Sequence, residues 1–293
     1  MNRSGLVFLC VLGSAVTLGA QGAPKELPKG WTAGPTVGRL GAPASVSVPP
    51  SYIFLDASAT KAFLEQNQNI PDGNELGSIL STDAADDSWF AVFTYADTGH
   101  VDDTDQAAID ATALMENLKK GTEHGNKERR DRGFDELVLT GWQQPPFYDP
   151  ATNNLTWSTR LTSQDVPVIN HSVRLLGRTG TMSVQLVADP KSLAAATTQF
   201  NTILTGFTYV DGQRYAEFRQ GDKLAGYGLA ALIAGGAGAA AVKSGLLQKF
   251  WKVLVMIGVA IVAGLKKFLG ALSGNREPGL AERPVAVPPA PRV

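Results

Sequence analysis

The feature that most constrains this chain is a stretch of nineteen residues without a charge, residues 224–242. It has the sequence LAGYGLAALIAGGAGAAAV and lies between Lys223 and Lys243. A helix of this length covers roughly 28 Å at about 1.5 Å per residue, close to the hydrocarbon thickness of a bilayer. The stretch therefore predicts a transmembrane helix with the lipid bilayer as its partner. A buried helix of a soluble domain is the alternative.

Small residues recur every four positions within this stretch, at Ala231, Gly235 and Ala239. Such residues allow membrane helices to approach closely, so they predict a helix-packing surface that would serve a homo-oligomer or a second span. The next apolar segment, over residues 250–269, has only thirteen uncharged residues in a row. It predicts either a short second span or a helix lying in the membrane interface.

The two ends of the chain resemble those of an exported protein. Residues 1–22 combine Arg3, a short apolar run and small residues near the end, which is typical of a cleaved signal peptide. An uncleaved N-terminal anchor is the alternative. The lysines after residue 242 favour a domain outside the membrane, facing the periplasm or the exterior. Residues 273–293 are rich in proline and predict a disordered tail.

Composition excludes several classes of function. Cys10 is the only cysteine and lies in the signal region, so the mature chain would have no disulfide, cysteine nucleophile or thiolate metal site. The formal net charge of −1 provides no positive field, and no nucleic-acid partner is expected. The chain has no G-x-S-x-G elbow, and no catalytic residue or cofactor is predicted.

The folded domain is expected over residues 51–218, because residues 23–50 are rich in proline and glycine and predict a flexible linker. Residues 89–95, WFAVFTY, predict a central strand with apolar side chains on both faces. The other predicted elements are helices over 60–66, 106–120 and 190–204, strands over 137–142, 155–161, 168–175 and 182–187, and a hairpin over 207–218. This pattern predicts an α+β fold in which helices cover an antiparallel sheet, followed by a C-terminal transmembrane helix or helical hairpin.

An acidic group precedes the second predicted helix. Its members are Asp97, Asp102, Asp103 and Asp105. These carboxylates could bind calcium or another hard cation. The alternative is structural, because carboxylates before a helix stabilise its N-terminus and the spacing is not that of an EF-hand.

Histidines and arginines give weaker signals. The histidines are His100, His124 and His171, and no two are spaced to lie on one helical face as zinc ligands. Arg160, Arg174 and Arg178 lie on neighbouring predicted strands. They predict either a basic patch directed towards lipid headgroups or ordinary solvated arginines.

Aromatic and proline residues cluster in the segment GWQQPPFYDPATNN, residues 141–154. The candidate contact residues are Trp142, Pro145, Pro146, Phe147 and Tyr148. Rings held by prolines form a stiff aromatic surface that suits peptides or sugars. The alternative is that the rings cap the edge of the sheet as part of the core.

Five stretches carry a family resemblance. They are FLDA (54–57), GTEHGN (121–126), GWQQPPFYD (141–149), RLLGRTGTMS (174–183) and RYAEFRQGDKLAGYGLAALIAGGAGAA (214–240). Over about residues 46–268 the chain resembles a bacterial family of uncharacterised membrane-anchored proteins, the domain of unknown function number twenty-one sixty-seven. The resemblance implies an exported domain with a C-terminal anchor and no assigned activity.

These observations together predict a membrane-anchored envelope protein whose periplasmic domain binds a partner through the proline-aromatic segment. The candidate partners are a peptide, a glycan or another membrane protein. Two alternatives remain. One is a metal-dependent enzyme of the envelope built on Asp97, Asp102, Asp103 and His100, and the other is a stress-response scaffold that senses the membrane.

Overall fold

The computed structural model describes residues 26–81 and 89–233, which form eleven strands and four helices. The strands are β1 (Trp31–Ala33), β2 (Thr36–Leu40), β3 (Ala44–Val48), β4 (Tyr52–Asp56), β5 (Glu75–Ser81), β6 (Phe90–Ala96), β7 (Val138–Asp149), β8 (Asn154–Ser163), β9 (Val166–Leu176), β10 (Thr181–Ala188) and β11 (Phe207–Tyr209). The helices are α1 (Ala57–Gln66), α2 (Ala111–Asp131), α3 (Leu193–Leu204) and α4 (Leu229–Ile233).

Eight strands form one antiparallel sheet in the order β1-β4-β5-β6-β10-β9-β8-β7. Seven of its strands form two meanders, β4-β5-β6 and β7-β8-β9-β10, and β1 pairs with β4 at the edge. They join where β6 pairs with β10, from Thr181 opposite Ala96 to Val187 opposite Phe90. The remaining strands form a second antiparallel sheet in the order β11-β3-β2.

Both faces of the large sheet are buried. Along β6, Phe90 and Val92 belong to a core that includes α1 and α2, whereas Ala91 and Phe93 belong to a core that includes α3 and the second sheet. This alternation follows from the two-residue period of a strand. The prediction of a central strand over residues 89–95 is confirmed, since β6 pairs with a strand on each side.

The predicted sheet covered by helices is wrong. Strand residues outnumber helix residues in the described structure, and a second sheet packs beside α3 on one face of the large sheet. This second sheet contains β2 and β3, which lie in the segment predicted as a linker. Pro35, Pro43 and Pro49 lie between or after the strands, so they do not interrupt the ladder. Val46 and Val48 are buried on one face of β3.

The predicted C-terminal transmembrane helix is also contradicted. Within residues 26–81 and 89–233, no helix has the length and apolar character needed to cross a membrane. Leu224 forms a β-bridge with His100, so the first residues of the predicted span belong to the folded domain. The helix α4 begins only at Leu229, whose backbone N–H donates to Asp105 Oδ1 over 3.0 Å.

Several predicted segments lie outside the described residues. They are the signal peptide 1–22, the second helix 250–269 and the tail 273–293. Of the predicted helix-packing residues, Ala231 lies in α4, whereas Gly235 and Ala239 are also outside the described part of the chain.

The four strands predicted between residues 137 and 187 correspond to β7–β10, and their antiparallel pairing is confirmed. The helix predicted over 106–120 begins at Ala111 and ends at Asp131. Asp110 sets its start, because the carboxylate accepts hydrogen bonds from the first-turn N–H groups of Thr112 and Ala113. The predicted hairpin over 207–218 is wrong, since β11 pairs with β3 and residues Tyr215–Glu217 form a 3₁₀ turn.

Candidate functional site

Most of the proline-aromatic segment forms part of β7, the outermost strand of the large sheet. The pairing of β7 with β8 is irregular and shifts three times between Leu139 and Phe147. Pro145 and Pro146 have no N–H to donate to a further strand. An edge with bulges and prolines resists indiscriminate strand pairing. The outer edge of β7 is therefore poorly suited to pairing with a further strand.

The three aromatic rings of this segment have different environments. The Trp142 ring is half-buried, and its Nε1 donates to the carbonyl of Ala111, the first residue of α2, over 3.0 Å. Tyr148 is buried. Phe147 is 60% exposed. Trp142 and Tyr148 therefore match the alternative prediction, in which the rings cap the sheet edge as part of the core, whereas Phe147 does not. We call the remaining exposed surface of Pro145, Pro146 and Phe147 the β7 patch.

Tyr148 connects β7 to the acidic group. Its hydroxyl donates to Asp103 Oδ2 over 2.6 Å and accepts from Asn153 Nδ2 over 3.2 Å. Burial raises the pKa of Tyr148 to about 12, and Asp103 acts in the same direction. The phenol therefore stays protonated and acts as a donor. Two segments predicted as separate sites are joined by this bond.

The other acidic residues form hydrogen bonds within the fold, both to nearby residues and to residues far along the chain. Asp102 Oδ1 accepts from the N–H of Thr104 over 2.8 Å, and Asp105 accepts from Leu229 at the start of α4. The carbonyl of Asp97 accepts from Lys223 Nζ over 3.4 Å. Across residues 26–81 and 89–233, no three His, Cys, Asp or Glu side chains are grouped so that they could hold a metal ion. In the described structure the carboxylates of Asp102 and Asp105 fix the loop that leads to α2.

The histidines lie in separate elements. His100 is buried between the rings of Tyr215 and Phe218, each with its centroid 4.3 Å away, and burial lowers the pKa of His100. His171 is buried on β9, and burial lowers its pKa to about 4. His124 is exposed on α2.

A serine and a lysine with S-x-x-K spacing, Ser58 and Lys61, lie on α1. Both are exposed to solvent. A lysine acts as a base for serine only where its charge is desolvated. The spacing alone therefore does not give this pair a catalytic environment.

The predicted basic patch does not form. Arg160 is exposed and donates to Gln143 over 2.7 Å. Arg178 forms a bidentate pair with Asp222, with contacts of 2.7 and 2.8 Å. Arg174 is only 4% exposed and faces the interior. These three arginines have three different roles.

A polar cavity lies between α2 and the large sheet. Its volume is about 20 Å³, enough for one water-sized group. Its walls are Leu118 and Thr122 of α2, Leu139 of β7, Trp157 and Thr159 of β8, Asn170, Ser172 and Arg174 of β9, and Gln185 of β10. Six of these nine residues are polar, on a sheet face that is elsewhere largely apolar.

Two hydrogen-bond donors in this cavity lack an acceptor. The Arg174 guanidinium lies 4.7 Å from the centroid of the Trp157 ring. Within the described ranges, no carboxylate forms an ion pair with Arg174 and no protein atom accepts a hydrogen bond from it. Burial lowers the pKa of Arg174 to about 10. Gln185 Oε1 accepts from Ser172 over 3.0 Å, but Gln185 Nε2 is buried without an acceptor.

The sequence contains a signal for this cavity that our prediction missed. Asn170, Ser172 and Arg174 alternate with Ile169, His171 and Val173 along β9. Alternation of this kind is commonly the solvated face of a strand. Here the polar face is buried because α2 packs over it, and that contact cannot be inferred from the strand alone.

Comparison with known proteins identifies the family to which the chain belongs. The family model described as "Protein of unknown function (DUF2167)" matches residues 33–266. The match confirms the resemblance found in the sequence but does not show a membrane anchor. No curated protein matches the chain.

A similar solved structure is the solution structure of cyanobacterial PsbP (CyanoP) from Synechocystis sp. PCC 6803, at 12% identity. The similarity covers 68% of this chain and 98% of that one, with a TM-score of 0.37. A likeness at this level does not extend to function.

Proposed function

We propose that this chain, which belongs to the DUF2167 family, is an exported protein whose domain binds a protein or peptide partner at the β7 patch. One observation carries the proposal. Phe147 is 60% exposed, whereas the rings of Trp142 and Tyr148 on the same strand are fixed by hydrogen bonds. Export is supported by the signal-like composition of residues 1–22.

The β7 patch has the physical character of a binding anchor. Its backbone is held in the sheet and contains two prolines, so little conformational entropy is lost on binding. Aromatic side chains commonly supply a large share of the binding free energy of an interface. Gln143 and Gln144 beside the patch are exposed, and their amides can exchange hydrogen bonds with a peptide backbone. The combination suits a peptide segment with apolar side chains.

The test is photocrosslinking in cells, with a photoreactive amino acid at Gln144. Phe147→Ala should reduce the crosslinked product about 30-fold, which corresponds to about 2 kcal/mol for loss of an aromatic anchor. Val138→Ala is the matched control, because Val138 lies on the same strand and is 59% exposed. It should leave the product unchanged.

Stability measurements separate binding from folding. Phe147→Ala should change the free energy of unfolding by less than about 0.5 kcal/mol, as is usual for a surface position. Substitution of Trp142 or Tyr148 would disturb the fold and is not a clean test. The proposal is wrong if Phe147→Ala and Val138→Ala give equal amounts of product, or if no partner is captured at Gln144.

A further inference from the structure

We propose that the polar cavity between α2 and the large sheet is the binding site of one structural water molecule, which forms hydrogen bonds with Arg174, Gln185 and Asn170. The water would join β9 to β10 directly beneath α2. The β7 patch contributes none of the walls of this cavity, so the proposal is independent of partner binding at that patch.

The size and the burial of the cavity fit a single water. A buried water needs a cavity of about 10–15 Å³ or more and about two to four polar partners. The volume here is about 20 Å³, which leaves no room for a larger ligand. All nine wall residues are buried, and the most exposed of them, Thr159, is 8% exposed. A molecule in this position is held inside the protein, away from the hydration layer at its surface.

Arg174 and Gln185 supply hydrogen-bond donors. Gln185 Nε2 is buried, and no acceptor in the described structure receives a bond from it. Arg174 is 4% exposed and forms no ion pair with any carboxylate that the structure describes. The ring of Trp157 replaces only part of the hydration that this cation has lost. A water oxygen has two lone pairs, so one water can accept from both donors.

Acceptor oxygens on the same walls distinguish water from an ion. Asn170 Oδ1 is buried, and an amide oxygen has two lone pairs, so it can accept a bond from the water. Thr122 and Thr159 add hydroxyl groups, which also accept. A halide ion can only accept and an ammonium ion can only donate, so each would leave one kind of wall group unsatisfied. Water both donates and accepts.

The strand register brings these groups together. Gln185 on β10 is opposite Ser172 on β9. Asn170 and Arg174 lie two positions before and after Ser172, so their side chains are on the same face of the sheet. Each is a diagonal neighbour of Gln185, about 7–8 Å away at Cα, which is within reach of a bridging water. Ser172 donates to Gln185 Oε1 over 3.0 Å, and this bond leaves Nε2 to donate to the water.

The test is water–protein cross-relaxation in the full-length protein labelled with ¹⁵N. The side-chain amide signal of Gln185 is identified by its loss in Gln185→Met. This amide should show cross-peaks to water whose cross-relaxation rates have opposite signs in NOESY and ROESY spectra, as expected for a long-lived buried water. Proton exchange gives the same sign in both spectra, and surface water gives a NOESY rate near zero.

A cavity-filling variant assigns the water to this site. Ser172→Val replaces the hydroxyl with two methyl groups and should displace the water. The cross-peaks of Gln185 should disappear, and ¹⁷O relaxation dispersion, which is insensitive to relay through hydroxyl protons, should count one long-lived water fewer than in the wild type. Ser47→Val, at an exposed position of β3, is the matched control and should change neither result.

The wild-type spectra decide the matter even if Ser172→Val does not fold. A Gln185 amide without these cross-peaks in the wild type would mean that the cavity is dry, and the proposal would be wrong. Equal water counts in the wild type and in folded Ser172→Val would also overturn it.

Discussion

His171→Gln should remove part of the loss of stability that the protein suffers in acid. The His171 ring is 5% exposed, its Nδ1 lies 2.8 Å from Ser158 Oγ, and its plane is perpendicular to that of Phe200. Burial lowers its pKa from 6.5 to about 4. Between these two values the unfolded chain binds a proton that the folded chain does not. The contribution of His171 to stability is therefore complete above pH 6.5 and is lost as the pH falls to 4.

The magnitude follows from the two pKa values. Each unit of difference between the folded and unfolded pKa corresponds to about 1.4 kcal/mol, so His171 contributes about 3 kcal/mol to the free energy of unfolding. Urea unfolding at pH 7, 6, 5 and 4 measures it. From pH 7 to pH 4 the wild type should lose about 3 kcal/mol more than His171→Gln, whatever the two stabilities at pH 7.

His124→Gln is the matched control, because His124 is exposed on α2. The His171→Gln result is compared with this variant as well as with the wild type, so that the effect of replacing a histidine as such is measured separately. His100, whose pKa is also lowered by burial, should leave a residual slope in all three proteins. If the wild-type and His171→Gln curves are parallel, the imidazole is protonated in the folded protein and the reasoning fails.

Two further substitutions test contacts that hold β7 in place. Asn126→Ala should lower the free energy of unfolding, measured by denaturant titration, by about 2–4 kcal/mol. The Asn126 amide donates to the carbonyl of Leu137 over 2.8 Å and accepts from its N–H over 2.9 Å, and both bonds would be lost. Asn117→Ala, at an exposed position of α2, should show no such loss. Tyr148→Phe should cost about 1–2 kcal/mol by the same measurement, since Asp103 is half-exposed and water can replace the lost donor. If Tyr148→Phe leaves the free energy of unfolding unchanged, the bond to Asp103 does not contribute to stability.

The strands that the sequence predicted are those with local signals. In β6, Phe90 and Val92 alternate with Ala91 and Phe93, and this pattern depends on neither distant contacts nor turn chemistry. The start of α2 was missed by five residues because four earlier aspartates suggested a cap. Only Asp110 lies where its carboxylate meets the first turn of the helix.

The features that the sequence did not predict depend on contacts between distant segments. Prolines concealed β2 and β3, which pair with each other, and the sheet they form is completed by β11 from the other end of the domain. The residues after Leu224 were interpreted from length and absence of charge, but the bond from Leu229 to Asp105 joins positions 124 residues apart. The cavity also escaped prediction, because a buried and a solvated Arg174 have the same sequence pattern.

The junction between the two meanders has a consequence for synthesis and assembly. Val92 on β6 pairs with Gln185 on β10, more than ninety positions later. Until β10 leaves the ribosome, β6 has an unpaired edge that is open to association with other chains. The cavity depends on the same event, because Thr122 comes from the first half of the chain and Gln185 from the second.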